Sequence, residues 1–106
     1  MIEEYNARRR LMYRLVNEID GLSCKLPKGA FYIMMSLKEI IGRSHKGKVI
    51  SGSTDFAEML LDEKRVAVVP ALAFGDDNYV RLSYATSRQN IVDGMARIKE
   101  FVGELE

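Results

Sequence analysis

The amino-acid sequence predicts an α+β domain in which helices pack on a small, largely antiparallel sheet, in the order helix, strand, helix, strand, strand, helix. Three observations carry the prediction. Apolar residues recur at helical spacing at both ends of the chain, three short runs between them are rich in apolar, β-branched or aromatic residues, and glycine or proline separates the runs. At 106 residues the chain has the size of one domain with one core. An order that begins with a helix argues against the ferredoxin-like and RNA-recognition plaits, which begin with a strand.

Over residues 2–19, Met12, Leu15, Val16 and Ile19 fall at i, i+3, i+4 and i+7, and Tyr5 and Leu11 extend the stripe. Asp20-Gly21 supplies the stop, because glycine enters the left-handed region without a Cβ clash, and Pro27 and Gly29 mark a loop. The run Phe31-Tyr32-Ile33-Met34-Met35 reads as a buried strand. Residues 42–52, with Arg43, His45, Lys46 and Lys48 between glycines, read as a polar surface loop. Ser53 or Thr54 is expected to cap the second helix. Asp55 and Glu58 then lie near its exposed N–H groups, and Phe56, Met59 and Leu60 face inward. Val66-Ala67-Val68-Val69, ended by Pro70, reads as a strand of about five residues. A loop with Gly75, Asp76 and Asp77 leads to a third strand over residues 79–85. Ser87 is placed to cap the last helix, whose stripe is Ile91, Met95, Ile98, Val102 and Leu105.

Composition excludes several function classes. Hydrophobic residues make up 47% and charged residues 29%, an ordinary soluble balance. Sixteen basic residues against fifteen acidic ones leave a formal charge of +1, without the positive excess of a nucleic-acid or anionic-membrane surface. Cys24 is the only cysteine, so there is no internal disulfide and no multi-cysteine metal site, and a reducing, cytoplasmic setting is expected. The longest apolar stretches are far short of a membrane span, and the charged Ile2-Glu3-Glu4-Tyr5-Asn6 run lacks a signal-peptide pattern. Neither membrane insertion nor secretion is expected.

The third strand is the most informative for chemistry. Alternation sends Val80, Leu82 and Tyr84 to one face and Tyr79, Arg81 and Ser83 to the other. An arginine in mid-strand is costly to desolvate unless its five donors find acceptors, and its planar fork matches a carboxylate. Alternation alone leaves two readings open: a ligand carboxylate satisfies Arg81, or Arg81 is an ordinary exposed or salt-bridged strand residue. His45, the lone histidine, sits in a basic polar stretch and reads as solvated. Arg8, Arg9 and Arg10 are consecutive, cannot share one helix face, and read as solvated surface. Cys24 has no adjacent histidine to activate it and reads as structural.

The run Val66-Ala67-Val68-Val69-Pro70-Ala71-Leu72-Ala73-Phe74-Gly75, followed by Tyr79-Val80-Arg81-Leu82-Ser83-Tyr84-Ala85, resembles the C-terminal signature of the fold-type I aminotransferases. Pro27-Lys28-Gly29-Ala30-Phe31-Tyr32 resembles an earlier motif of the same family, and the final helix with Ile91, Gly94, Arg97 and Ile98 follows its pattern. The long connection over residues 38–54 looks most like the bacterial, aspartate-type branch. The resemblance implies that residues 1–106 are the C-terminal small, substrate-binding domain and that the large pyridoxal-phosphate-binding domain is absent. It also implies that Arg81 grips the α-carboxylate of the amino-acid substrate. Phe31 and Tyr32 then lie near the substrate cleft, or simply pack in the core, and Phe74-Gly75 lines the domain junction or completes a turn. Ala71 stands where the family usually has glycine, and a positive φ at that position would strain it.

For the full-length protein the resemblance implies amino-group transfer between an amino acid, with aspartate expected, and a 2-oxo acid, in a homodimer that uses pyridoxal phosphate. The family's Schiff-base lysine, its phosphate contacts and the aspartate paired with the pyridine nitrogen belong to the large domain, and no stretch here matches them. The isolated chain is therefore expected to hold no cofactor, to supply no catalytic residue and to be inactive alone. Two other readings stay open: a free-standing module that holds a small anion through Arg81, and an interaction domain in which Arg81 is paired internally.

Overall fold

The computed structural model describes residues 2–26 and 32–106. Among these, three α-helices, α1 (Ile2–Asn17), α2 (Ser53–Lys64) and α3 (Arg88–Gly103), cover one face of a three-stranded antiparallel sheet. The strands are β1 (Tyr32–Ser36), β4 (Val69–Pro70) and β5 (Tyr79–Ser83), in the order β1-β5-β4. The α+β class and the order of its main elements are as the sequence predicts. An additional small hairpin, β2 (Ser44–His45) and β3 (Lys48–Val49), lies between β1 and α2 in the chain.

The periodic stripes form the core. Met12, Val16 and Ile19 from the first stripe are buried, with Leu11 and Leu15 packed beside them, and Ile91, Met95, Ile98, Val102 and Leu105 are buried from the last. Each such side chain contributes roughly 1.5–3 kcal/mol when removed from water. Sheet alternation supplies the opposing surface through Ile33 and Met35 of β1 and Val80 and Leu82 of β5. After α1, Gly21 turns the chain at φ +95, and a Cβ there would meet Ile40 Cγ2 at 2.7 Å, so both conformation and space require glycine. Ser87 caps α3 as expected, accepting from the Asn90 N–H.

Four expectations are corrected. Residues 42–52 do not form a simple surface loop, because Lys46, at φ 52, and Gly47 make the tight turn of the β2–β3 hairpin. Ser44 pairs through its backbone with Glu106, at 3.0 and 2.8 Å, so the end of the chain ties the hairpin down. Secondly, Gly52 and not Ser53 or Thr54 is the N-cap of α2, and having no side chain of its own it leaves the Ser53 N–H to Asp77 Oδ1 at 2.9 Å. Thirdly, of the Val66–Val69 run only Val69 pairs in the sheet, together with Pro70. Val66 and Val68 pack on the core instead, so their β-branched character serves burial and not a ladder. Fourthly, the last strand ends at Ser83, whose hydroxyl accepts from the Ala85 N–H at 3.2 Å, a local turn that diverts the backbone from pairing.

Candidate substrate-carboxylate site

The open face of the sheet carries the candidate site. Arg81 is the middle residue of β5 and is flanked in register by Met34 of β1 and Val69 of β4, all on the face away from the helices. Its side chain is half-buried. The guanidinium carbon lies 4.8 Å from the centre of the Tyr32 ring and 5.0 Å from that of Phe74, so β1 and the turn after β4 bring one ring from each side of the strand. No carboxylate among the described residues lies within ion-pair distance of Arg81. Half-buried, resting on rings and unpaired, this arginine is a fork whose donors remain open to an added anion.

A groove of about 610 Å³ opens on the same face, lined in part by Tyr32, Met34, Lys38 and Tyr79. Arg81 does not line it, but the groove shares Tyr32 with the arginine's contacts and Met34 with its cross-strand register. Outside the groove's lining, Val69, Leu72 and Phe74 are all more than 40% exposed.

Leu72 and Phe74 are presented by a 3-10 turn, Ala71–Phe74, closed by Gly75 at φ 89. Ala71 itself is fully buried and does not adopt a positive φ, so the departure from the family's usual glycine brings no backbone strain. Phe31, the weaker binding candidate, and the Pro27-Lys28-Gly29-Ala30 motif lie outside the described residues. Tyr32, beside it, is brought to Arg81.

The described lysines stand in the open or are held by carboxylates. Lys25, Lys48 and Lys99 are exposed, and Lys38 is exposed over the Tyr79 ring at 5.4 Å. Lys46 is held by Glu63 at 2.8 Å, and Lys64 by Glu100 and by Glu104 at 2.7 Å. Hydrogen bonds to these carboxylates hold both ammonium groups above the ordinary lysine range, the opposite of what a reactive amine requires. Among the described residues no group of three potential metal ligands comes together, and no helix is long and apolar enough to cross a membrane.

The remaining candidates resolve differently. His45 is not solvated: it is 4% exposed, stacks on Phe101 at 4.8 Å, and its Nε2 donates to a Glu104 carboxylate oxygen at 2.9 Å. The hairpin turns it inward, which no alternation pattern over two-residue strands could reveal. Arg8 is not simply solvated either, since it donates to the Thr86 carbonyl at 2.6 Å and its guanidinium lies over the Tyr5 ring. Burial pushes the Cys24 thiol up, against a hydrogen bond from Asn17.

Comparison with known proteins identifies the family. The sequence profile of the family described as aminotransferase class I and II matches residues 1–98. The aspartate aminotransferase of Streptomyces avermitilis is 40% identical over 104 residues, covering 98% of this chain and 26% of that protein. The crystal structure of the aspartate aminotransferase from Rhizobium meliloti superposes with a TM-score of 0.95 at 39% identity, covering 98% of this chain and 26% of that one. An aromatic aminotransferase from Pyrococcus horikoshii superposes at 0.80 with 38% identity, covering 96% of this chain and 25% of that one. The chain thus spans about a quarter of the length of the relatives it matches. With the profile, the identity and the superposition in agreement over nearly all of its residues, the chain belongs to the class I and II aminotransferase family.

Proposed function

We propose that this chain is the C-terminal small domain of a longer aminotransferase and that Arg81 is its clamp for the α-carboxylate of the amino-acid substrate. The observation that carries the reading is the Arg81 guanidinium itself, half-buried on the open sheet face with no carboxylate partner among the described residues. An interaction domain would leave that group paired internally.

The chemistry asked of Arg81 is binding and orientation. A carboxylate accepting two parallel N–H bonds from one guanidinium is fixed in position and in plane, which lysine's point charge does not achieve. Each charge-assisted hydrogen bond contributes roughly 1.5–3 kcal/mol, and fixing the carboxylate restricts rotation of the neighbouring Cα bonds, lowering the entropy still to be lost before reaction. Aspartate as amino donor, a 2-oxo acid as acceptor and pyridoxal phosphate as cofactor complete the proposal. The names of the relatives from Streptomyces avermitilis and Rhizobium meliloti support aspartate. In this reading the cofactor and its lysine reside on polypeptide outside this chain, the chain alone does not transaminate, and a reduced Cys24 fits the cytoplasm.

Arg81→Lys in the full-length protein tests the clamp. Catalytic efficiency for the amino donor is expected to fall by roughly a hundredfold or more, with the melting temperature unchanged. Near-normal turnover would remove Arg81 from the site. The cofactor assignment is tested separately by mixing this chain with pyridoxal phosphate: no bound chromophore is expected, and stoichiometric labelling of a single lysine would overturn it.

A further inference from the structure

We propose that Phe74 and Tyr32 are positioning residues for Arg81: their rings hold the guanidinium without consuming its hydrogen-bond donors, and so keep its fork open for a carboxylate. The inference rests on the clamp reading and deepens it. A mid-strand arginine has to be held by something, and the usual holder, an acidic neighbour, would occupy the N–H groups that a substrate needs. Aromatic faces attract the cation electrostatically while leaving the donors in the guanidinium plane free. Both rings lie at such a distance, 4.8 Å for Tyr32 and 5.0 Å for Phe74.

The placement of Phe74 is not incidental to a floppy loop. Ser53, fully buried at the start of α2, gives its hydroxyl proton to Asp77 Oδ1 at 2.9 Å and accepts the Leu72 N–H on the same oxygen at 3.3 Å. The Ser53 N–H also donates to Asp77. Gly52 leaves the room for this arrangement, since a Cβ there would run into the Asp77 carboxylate. The 3-10 turn is further closed by bonds of 3.0 Å from the Gly75 N–H to Leu72 and from the Asp76 N–H to Ala71. A buried serine and an aspartate therefore fix, from both sides, the turn that carries Phe74 over Arg81. Phe74 is nevertheless 60% exposed, so its own contribution to folding is small, and its place against the guanidinium is set by the turn that carries it.

The test uses the full-length protein and three variants, Phe74→Leu, Phe74→Tyr and Arg81→Lys. It measures kcat, the KM of the amino donor, and the Kd of succinate, a carboxylate that does not react, by calorimetry. Phe74→Leu is expected to raise KM and the succinate Kd together by roughly tenfold while kcat stays within about threefold, and Phe74→Tyr is expected to restore both. If Phe74→Leu binds succinate like the unaltered protein while Arg81→Lys loses it, Phe74 has no positioning role, the proposal of a two-ring holder is overturned and the clamp reading survives. If Arg81→Lys also binds normally, the clamp reading itself fails. A Phe74→Tyr variant as weak as Phe74→Leu assigns the effect to loop shape and overturns the proposal.

Discussion

Arg81 and His45 are both basic groups resting on aromatic rings, and they differ in what stands at their polar edges. His45 stacks on Phe101 and has Glu104 at 2.9 Å and Glu63 at 4.0 Å, whereas Arg81 contacts Tyr32 and Phe74 and has no carboxylate among the described residues. The first group is closed: buried and joined through Glu104 to Lys64, it fastens the β2–β3 hairpin to α3. The second is open: half-buried and flanked by rings, it leaves its donors to whatever lies outside the chain. The difference teaches that a ring against a basic group serves structural and binding uses alike, and that the presence or absence of an internal anion separates the two.

The largest effect is expected at the closed end. Phe101 is fully buried and touches both His45 and Phe56, at 4.8 and 5.7 Å between ring centres. Phe101→Ala is expected to cost roughly 3–5 kcal/mol, read from urea denaturation, and a loss under about 1 kcal/mol would mean that the stack is not part of the core. At the open end, an anion can be supplied artificially. Val69 is cross-strand from Arg81 and exposed, so Val69→Glu in the full-length protein should pair with the fork and lower catalytic efficiency by roughly ten- to a hundredfold, with stability kept. Unchanged efficiency would show that the donors reached by the introduced carboxylate are not the ones substrate uses.

Two smaller effects separate the regions further. His45→Ala removes a buried ring and a hydrogen bond to a carboxylate, and a loss of roughly 1–3 kcal/mol is expected in the same denaturation experiment, with substrate affinity untouched. Altered affinity would show that the two regions communicate. The smallest effect is a pH dependence. Hydrogen bonds from Lys64 first, and then from His45, hold the Glu104 carboxyl below the usual carboxylate range. A depressed folded-state value stabilises above the unfolded-state value, and that contribution disappears as pH falls through the folded one. Melting temperature should therefore decline on acidification through and below the ordinary carboxylate range, and Glu104→Gln should make the decline shallower. An identical acid profile in that variant would assign the decline to other groups, such as Glu63, which Lys46 holds low, and Glu4, which Arg88 holds low.

Local pattern was sufficient for much of this. Helical spacing identified the buried faces of α1 and α3, and period-two alternation placed Val80 and Leu82 inside and Arg81 on the open face, because those periods are imposed by backbone geometry and need no knowledge of neighbours. The resemblance to the aminotransferases likewise rested on ordered motifs over nearly the whole chain, and the family match agrees with it. Phe74 was legible as a junction or turn residue but not as a contact of Arg81, since seven positions separate them and only the packing of a 3-10 turn against β5 closes the gap.

What the chain's order of residues determined is the set of periodic elements, the face each one buries and the family to which they belong. Tertiary structure alone decided that His45 turns inward onto Phe101 and Glu104, that Ser53 anchors the Ala71–Phe74 turn instead of capping α2, and that Arg81 meets two rings and no acid among the described residues. The physical reason is range: periodicity records which side of an element is apolar, whereas the partner of a polar group is chosen by whichever distant segment the packed core brings within a few ångströms.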